Sequence, residues 1–343
     1  MDAIALAERI TSRLSNAAEL EQTAVSIADD LLLLGRCVPD DDWLIVGGSL
    51  ARGEPTFISR SVGERLLISD VDFLYVHYGD EPSMPVRELR ALAGKAFPTI
   101  DLMTLPLGDY RAIQTSLGFD FKDLGLGVTE HGLPEHEPVK LDARDAYEIL
   151  LYYTQAYFWL GIHDQWCAGI DSALFHLMVN RLCMKVLRAT AMLDGAYAHH
   201  DFDWMAPHLA EQMRAELNWR RDPTQPPMDP GRFWTYLHDA FQRFDTEFGL
   251  PRPDAVNYSC YATTSSGRIV ARHHQAVHAV ACAMADTWIG TPDPAALATV
   301  KRRAWQRTTG WTGTAPQPSP EDYFRAHKQE IHDHLLAMKV QVR

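Results

Sequence analysis

Residues 44–54 read LIVGGSLARGE, and this stretch decides how the first third of the chain folds. The apolar run that ends at Val46 predicts a short buried strand, and the Gly-Gly-Ser of residues 47–49 predicts a turn after it. Glycine lets the backbone approach another group closely, and serine offers a hydroxyl at the start of a helix. Free N–H groups at such a start favour anions, so the stretch is either an ordinary strand–turn–helix junction or a phosphate-binding turn.

Two carboxylates alternate with apolar residues in ISDVDFLYV, residues 68–76. This alternation places Asp70 and Asp72 on one face of a strand and their apolar neighbours on the other. Two adjacent carboxylates repel each other unless a cation lies between them, and a hard divalent ion such as Mg²⁺ or Mn²⁺ is the usual cation. The pattern predicts a metal site, although D-x-D pairs also arise by chance.

A third carboxylate, Asp101, stands alone in the apolar run TIDLMTL, residues 99–105. An unpaired charge in such a strand is costly. Either this strand lies beside that of Asp72, so that Asp101 completes an acidic cluster, or Asp101 pairs with an arginine.

The composition limits the classes of partner. The chain has 343 residues, a formal net charge of −13 and 46% hydrophobic residues. This length accommodates two domains or one large one, with a real apolar core. Because an acidic surface repels phosphate backbones, the charge argues against broad nucleic-acid binding and suits a cationic or neutral partner.

The cysteines and the apolar segments indicate the compartment. Five scattered cysteines without a C-x-x-C pair are typical of reduced thiols in a cytosolic protein, not of a disulfide framework or zinc site. Asp2 and Glu8 interrupt the amino-terminal segment, which argues against a signal peptide. No run approaches the roughly 20 apolar residues of a membrane span. We expect a soluble, cytoplasmic protein without a membrane partner.

The first third of the chain mixes helical and extended patterns. Apolar residues at helical spacing predict one or two helices over residues 2–35, and a further helix is expected to start at Pro85. Apolar runs predict strands at 43–46, 66–68, 71–76 and 99–105.

After Asp142 the helical period dominates, except in a Pro-rich loop at 220–231. The pattern predicts an α+β fold. A mixed sheet with flanking helices is expected in residues 1–140, and an α-helical domain in residues 141–343.

Three features occur together in the first third: Gly-Gly-Ser after a strand, S-D-V-D-F on the next strand, and I-D-L on a later one. In this combination the chain resembles the nucleotidyltransferase superfamily of DNA polymerase beta. GSLARGE followed by SDVDFLYV is especially similar to its minimal and aminoglycoside-type members. The resemblance covers roughly residues 40–105, and it implies a nucleotidyltransferase-type mixed β-sheet with a helical domain that closes the active-site cleft.

The resemblance also implies residue roles. Asp70 and Asp72 would hold two Mg²⁺ ions, and Asp101 would share a metal and help to deprotonate the attacking hydroxyl. The turn would bind the β- and γ-phosphates of a nucleoside triphosphate. The phosphate-binding residues expected there are Gly47, Gly48, Ser49 and Arg52.

A long link departs from the family pattern. PTFISRSVGERLLI, residues 55–68, is longer than the usual connection and predicts an inserted hairpin or loop with its tip near 63–64. Arg60 and Arg65 either reach a triphosphate or are solvated. The insertion leaves open whether Ser49 and the acid pair have the family's mutual geometry.

A basic face stands out in the helical half of this acidic chain. In NRLCMKVLRATAML, residues 180–193, Arg181, Lys185 and Arg188 are four and three positions apart, on one helical face. In several branches of the superfamily a lysine from the helical domain touches the triphosphate, so Lys185, with Arg181, is expected to bind it. The alternative is a solvated face paired with local acids.

Three further patterns have structural alternatives, which we favour. HHDFD, residues 199–203, is either a metal cluster or a polar loop. Arg268 and His273 fit the loose R-x4-H pattern of HEPN-type ribonucleases, but a chain with 15 histidines produces such matches by chance. An aromatic run can stack on a base or pack in the core; it comprises Tyr152, Tyr153, Tyr157, Phe158 and Trp159.

The expected activity is transfer of a nucleoside monophosphate from a nucleoside triphosphate to a hydroxyl, with release of pyrophosphate and with Mg²⁺ or Mn²⁺ as cofactor. A small polar molecule is the expected acceptor, because no basic or repetitive surface suits nucleic acid. The alternatives are a signalling-nucleotide synthase of the cyclic-oligonucleotide type, a protein- or tRNA-modifying enzyme of a toxin–antitoxin system, and a binding module with an inactive site.

Overall fold

The computed structural model describes residues 2–12, 14, 17–61, 64–141, 143–193, 205–221, 228–248, 265–309 and 318–328. Its strands are β1 (Trp43–Val46), β2 (Phe57–Ser61), β3 (Glu64–Leu67), β4 (Val71–His77), β5 (Ile100–Pro106) and β6 (Leu126–Gly127). The helices of the first third are α1 (Ala3–Thr11), α2 (Ala17–Cys37), α3 (Gly48–Ala51), α4 (Val86–Ala96), α5 (Leu107–Ala112) and α6 (Ser116–Lys122). The later helices are α7 (Ala143–Trp159), α8 (Ile162–Cys167), α9 (Ala173–Leu193), α10 (Pro207–Arg221), α11 (Gly231–Phe248), α12 (Ser265–Gly290), α13 (Pro294–Thr309) and α14 (Pro320–Ala326).

A mixed four-stranded sheet organises the first third in the order β5-β4-β1-β6. Strand β1 runs antiparallel to both β4 and β6, whereas β4 and β5 are parallel and are joined through α4. A parallel pair needs such a crossover, and α4 provides it. The fold is therefore α+β, with helices on both faces of a small mixed sheet.

Strand β4 is buried on both faces, which explains its nearly continuous apolar sequence. On one face, Val71, Phe73 and Tyr75 pack with residues of α1, α2 and α4. On the other, Leu74 and Val76 pack with residues of α5 and α6. Since side chains alternate along a strand, the carboxylates at its start share the α5–α6 face.

The long link of residues 55–68 contains a hairpin, which is one of the two forms that the sequence predicts. Strands β2 and β3 pair antiparallel and form a second, two-stranded sheet. Glu64, expected near the tip, begins β3. Residues 62–63 and the side chain of Arg60 lie outside the described residues. Arg65 pairs at the surface with Glu19, at 3.5 Å between Nη2 and Oε2, and does not line the cleft described below.

The helical half surrounds a large apolar core that runs from Ala146 to Phe324. Tyr157 and Phe158 are buried inside it, which confirms core packing for this part of the aromatic run. The apolar clusters under the sheet use residues up to Leu133. The boundary near residue 140 stays a prediction.

Helix ends correct one expectation. The Pro-rich loop expected at 220–231 is shorter, because Arg220 and Arg221 still belong to α10 and Gly231 opens α11. Residues 222–227 lie outside the described parts.

The four described cysteines are free. Among the helices described here, none combines the length and the hydrophobicity that a membrane span needs.

Candidate active site

A cleft of about 410 Å³ lies where the sheet meets the helical half, within the size range of small-molecule sites. The turn after β1 and the first residues of β4 and β5 contribute to its lining. Side chains of α7, α9 and α10 line it as well. The sequence stretches that carry the resemblance thus meet the basic face of α9 in one cavity.

The glycines of the turn are required by close packing. The amide of Gly47 donates to the carbonyl of Asp72, at 2.9 Å, and ties the turn to β4. Gly48 has a φ of +63°, a conformation that favours glycine, and a Cβ there would overlap the carboxylate of Asp72. Helix α3 begins at Gly48 and has four residues, so it offers the N–H groups of its first turn but only a short dipole.

The three predicted carboxylates lie on one edge of the sheet. In the parallel register of β4 and β5, Asp72 is directly opposite Asp101, and Asp70 immediately precedes β4. All three line the cleft. The strand of Asp101 therefore lies beside that of Asp72, and the partner of an arginine is Asp70 instead.

Arg181 of α9 compensates one of these charges. Its Nη2 lies 2.8 Å from Oδ2 of Asp70. Burial would raise the pKa of Asp70, but the charge and hydrogen bond of Arg181, together with a backbone hydrogen bond and the charge of Lys185, hold that pKa below its ordinary value. Burial, followed by repulsion from Asp70, raises the pKa of Asp72 to about 6. Asp72 is thus the carboxylate of the pair that lacks sufficient positive charge.

The donor set fits a hard divalent cation. Carboxylate oxygens are the ligands that Mg²⁺ and Mn²⁺ prefer, and a cation beside Asp72 would remove the repulsion that raises its pKa. In the part of the chain that the structure describes, no group of three or more His, Cys, Asp or Glu side chains forms a ready-made metal cluster. A metal at Asp70 would compete with Arg181.

Three buried side-chain oxygens in the cleft have no hydrogen-bond partner among the described residues. They are Oγ of Ser49, Oγ1 of Thr56 and Oδ1 of Asp120. Buried polar atoms are normally paired, so an unpaired group marks a place where water, an ion or a ligand belongs. Ser49 is 8% exposed and belongs to the turn for which the sequence predicts phosphate binding.

The basic face of α9 points into the cleft. The lining includes Arg181, Lys185 and Arg188. Because Arg188 is buried, the alternative of a solvated side chain is wrong for this residue. Nζ of Lys185 lies 5.1 Å from the ring centre of Tyr153. Burial, and next the charge of Arg52, lower the pKa of Lys185 to about 7. Its ammonium is therefore held where more negative charge would stabilise it.

The buried residue Glu54, which the sequence did not single out, contacts three arginines of the cleft. Glu54 is 0% exposed. Its Oε1 lies 2.7 Å from Nε of Arg52 and also pairs with Arg188, while its carbonyl accepts from Nη1 of Arg220 at 3.2 Å. Arg52 reaches Asp120 as well, at 2.9 Å between Nη1 and Oδ2. The only sequence signal was the end of GSLARGE, where Arg52 and Glu54 are two positions apart.

The aromatic run divides between the core and the site. Tyr152 and Tyr153 line the cleft, while Tyr157 and Phe158 do not. The stretch at 199–203 lies outside the described residues, as do the side chains of Arg268 and His273.

Compared with protein-family models, with curated proteins and with solved structures, the chain matches none in any of the three. The function is therefore inferred from the residues of the cleft.

Proposed function

We propose that the chain is a Mg²⁺-dependent nucleotidyltransferase of the cytoplasm, with a nucleotidyltransferase-type fold. It transfers a nucleoside monophosphate from a nucleoside triphosphate to a hydroxyl of a small polar molecule and releases pyrophosphate. One observation carries the proposal: strand-borne carboxylates, cations of α9 and α10 and a glycine-serine turn line one 410 Å³ cleft. Phosphoryl chemistry needs charge neutralisation and alignment more than covalent help, and this arrangement supplies both.

The phosphate end is assigned to the turn and to α9. The hydroxyl of Ser49 lacks a partner among the described residues, and the first N–H groups of α3 lack intrahelical acceptors. Lys185 and Arg181 of α9 line the same cleft. Together these groups provide donors and positive charge for the distal phosphates.

The metal end is assigned to Asp70, Asp72 and Asp101. When bound there, Mg²⁺ supplies positive charge to the phosphate oxygens and orients them. Arg181 compensates Asp70 in the ligand-free structure, and it is placed to exchange this carboxylate for a phosphate.

Asp101 is assigned to the acceptor. It is exposed at the cleft, unlike the more buried Asp70 and Asp72. We propose that Asp101 takes the proton of the acceptor hydroxyl. The oxygen of this hydroxyl forms a bond to the α-phosphorus, while the bond from that phosphorus to the bridging oxygen of the β-phosphate breaks. The electron pair and negative charge leave with pyrophosphate.

The acceptor is assigned by charge. With a net charge of −13, the chain repels polyanions overall, and one triphosphate uses the cations of the cleft. The proposed acceptor is therefore small and neutral or cationic, and tRNA is not expected to bind at physiological salt.

Incubation with radiolabelled nucleoside triphosphates and Mg²⁺, with and without mixtures of small hydroxyl compounds, tests this proposal. We expect labelled nucleotide on a small acceptor and an equal amount of pyrophosphate, both identified by mass spectrometry. A cyclic product from triphosphates alone, or label on tRNA or protein, would contradict the proposed acceptor. The absence of any transfer across these substrates would contradict the proposed reaction.

A further inference from the structure

Glu54 joins three chain segments beside the cleft, through arginines that line it. Its carboxylate pairs with Arg52 of its own segment and with Arg188 of α9, and its carbonyl accepts from Arg220 of α10. These partners are two, 134 and 166 positions away along the chain. We call Arg52, Arg188 and Arg220 the arginine wall.

Arg220 is fixed on two sides. Its Nη1 donates to the carbonyl of Glu54 at 3.2 Å, and its Nε donates to Oδ1 of Asn180 at 2.7 Å. Asn180 is in turn held by Glu216, whose Oε2 accepts from Nδ2 of Asn180 at 2.8 Å. Among the described residues, nothing accepts from Nη2 of Arg220, although this residue lines the cleft.

The wall brings several buried positive charges close together. Its three guanidiniums lie beside two paired carboxylates, Glu54 and Asp120. Lys185 lines the same cleft and adds a further positive charge when it is protonated. Burial and the neighbouring arginines lower the pKa of Arg220 to about 10, although Glu54 acts in the opposite direction. Such crowded, buried cations are stabilised by an anion with several charges.

Stability alone gives no reason for this cluster. Replacing buried ion pairs by well-packed apolar residues is often neutral or stabilising. A group of guanidiniums that faces a cleft is instead the usual device for binding phosphate groups, because each guanidinium presents donors in a fixed plane.

We propose that the arginine wall binds the phosphate chain of the substrate, with Arg220 as a direct ligand and Glu54 as the positioning residue that holds all three guanidiniums. The inference rests on the proposed function for the identity of the anion, a nucleoside triphosphate. It adds ligands from α10 and from the end of α9 to those at the turn. The geometry requires that Glu54 acts through the arginines and not by touching the substrate.

Calorimetry with inorganic triphosphate in the absence of metal tests the role of Arg220. The variant Arg220→Gln loses one charge-assisted contact, so we expect about tenfold to a hundredfold weaker binding. Lys301→Gln is the matched control. Lys301 has the same 8% exposure as Arg220 and pairs with Glu321 at 2.6 Å, but it does not line the cleft. This control should bind inorganic triphosphate as the unmodified protein does, and equal binding by Arg220→Gln would overturn the inference.

A second variant separates positioning from charge. Glu54→Gln removes a negative charge beside the wall, which by charge alone would strengthen anion binding. If Glu54 positions the arginines, the folded variant instead binds inorganic triphosphate at least fivefold more weakly. Circular dichroism checks the fold. Tighter binding by a folded Glu54→Gln would overturn the positioning role, and the Arg220→Gln arm decides the inference if Glu54→Gln does not fold.

The proposed function and phosphate binding by the arginine wall can be disproved independently of each other. If the protein transfers nucleotides and Arg220→Gln binds inorganic triphosphate normally, the arginine wall does not bind the phosphate chain through Arg220 and the proposed function stands. If the protein binds inorganic triphosphate through Arg220 but transfers no nucleotide, the wall stands and the proposed function is wrong. A protein that binds no inorganic triphosphate overturns the wall.

Discussion

Gly48 is the residue at which the turn and the carboxylates constrain each other most closely. Its φ of +63° and the carboxylate of Asp72 leave no room for a side chain. We expect Gly48→Ala to cost about 1–2 kcal/mol of unfolding free energy and to displace Asp72, with at least roughly a hundredfold loss of transfer.

Gly94 provides the matched control for this substitution. It lies inside α4, and a Cβ there would meet no atom within 4 Å. Because alanine is the better helix former, Gly94→Ala should stabilise the fold by about 0.5–1 kcal/mol and leave transfer unchanged. Thermal denaturation and activity of the two variants make the comparison, and a fully active Gly48→Ala would contradict the close packing at the turn.

Lys185 predicts a pH dependence of substrate binding. Its pKa of about 7 in the ligand-free protein means that the ammonium loses its proton as the pH rises through neutrality. A bound anion favours the protonated form, so affinity for triphosphate should fall about tenfold between pH 6 and pH 8. Lys185→Arg stays charged and should lack this loss. Lys185→Ala should bind about tenfold to a hundredfold more weakly. Calorimetry at both pH values measures the affinity for triphosphate of the unmodified protein and of the two variants. Identical pH profiles in the unmodified protein and Lys185→Arg would exclude Lys185 as the source of the pH dependence.

The sequence predicted residues of the site where a local pattern exists. Alternation along β4 was enough to place Asp70 and Asp72 on one face, and an isolated charge in an apolar run singled out Asp101. Glu54 and Arg220 could not be found this way. Their pairing joins positions 166 apart, and it depends on the packing of α10 against α9, whose Arg188 also pairs with Glu54.

Helix α9 contacts a carboxylate at the edge of the sheet through Arg181. Because its guanidinium occupies Oδ2 of Asp70, Arg181→Gln should have opposite effects on two ligands. Without nucleotide, Mn²⁺ should bind several-fold more tightly, since a competing cation is gone, whereas inorganic triphosphate should bind more weakly. Paramagnetic resonance measures the first and calorimetry the second.

The surface pair of Arg65 with Glu19 supplies the control for Arg181, because it lies away from the cleft. Arg65→Gln should change neither affinity. Weaker Mn²⁺ binding by Arg181→Gln would show that Arg181 does not compete with metal at Asp70.

Elements with a strong apolar periodicity could be predicted from the sequence, whereas elements that depend on tertiary pairing could not. The apolar runs predicted β1, β4 and β5, and the long link contains a hairpin, one of its two expected forms. Strand β6 has two residues and exists because Leu126 and Gly127 pair with β1. No local sequence pattern predicts this pairing. The helical extension through Arg220 and Arg221 was hidden by the Pro-rich sequence that follows.

At the scale of the molecule, His163 makes stability depend on pH. It lies in α8 with 1% exposure, and burial, with the nearby charge of Lys301, lowers its pKa to about 4. Between about pH 4 and pH 6.5 the unfolded chain binds a proton that the folded chain does not, so stability rises with pH in this window. This residue should account for about 2 kcal/mol of the stability lost between pH 7 and pH 5.

Chemical denaturation of His163→Gln at the two pH values checks this contribution. The variant should lose less stability than the unmodified protein between pH 7 and pH 5. Equal losses in the two proteins would mean that His163 is not kept neutral in the folded state.

Nucleotidyl transfer by the unmodified protein and by Asp72→Asn is the most direct test of the metal-dependent reaction proposed for this cleft. It is measured as pyrophosphate release with labelled triphosphate, Mg²⁺ and an acceptor mixture. We expect Mg²⁺-dependent transfer by the unmodified protein. We expect no turnover by Asp72→Asn, whose melting temperature should be equal or higher because a buried, repelled carboxylate is removed. Mg²⁺-dependent transfer by Asp72→Asn would contradict the role of Asp72, and no transfer by the unmodified protein would contradict the proposed reaction.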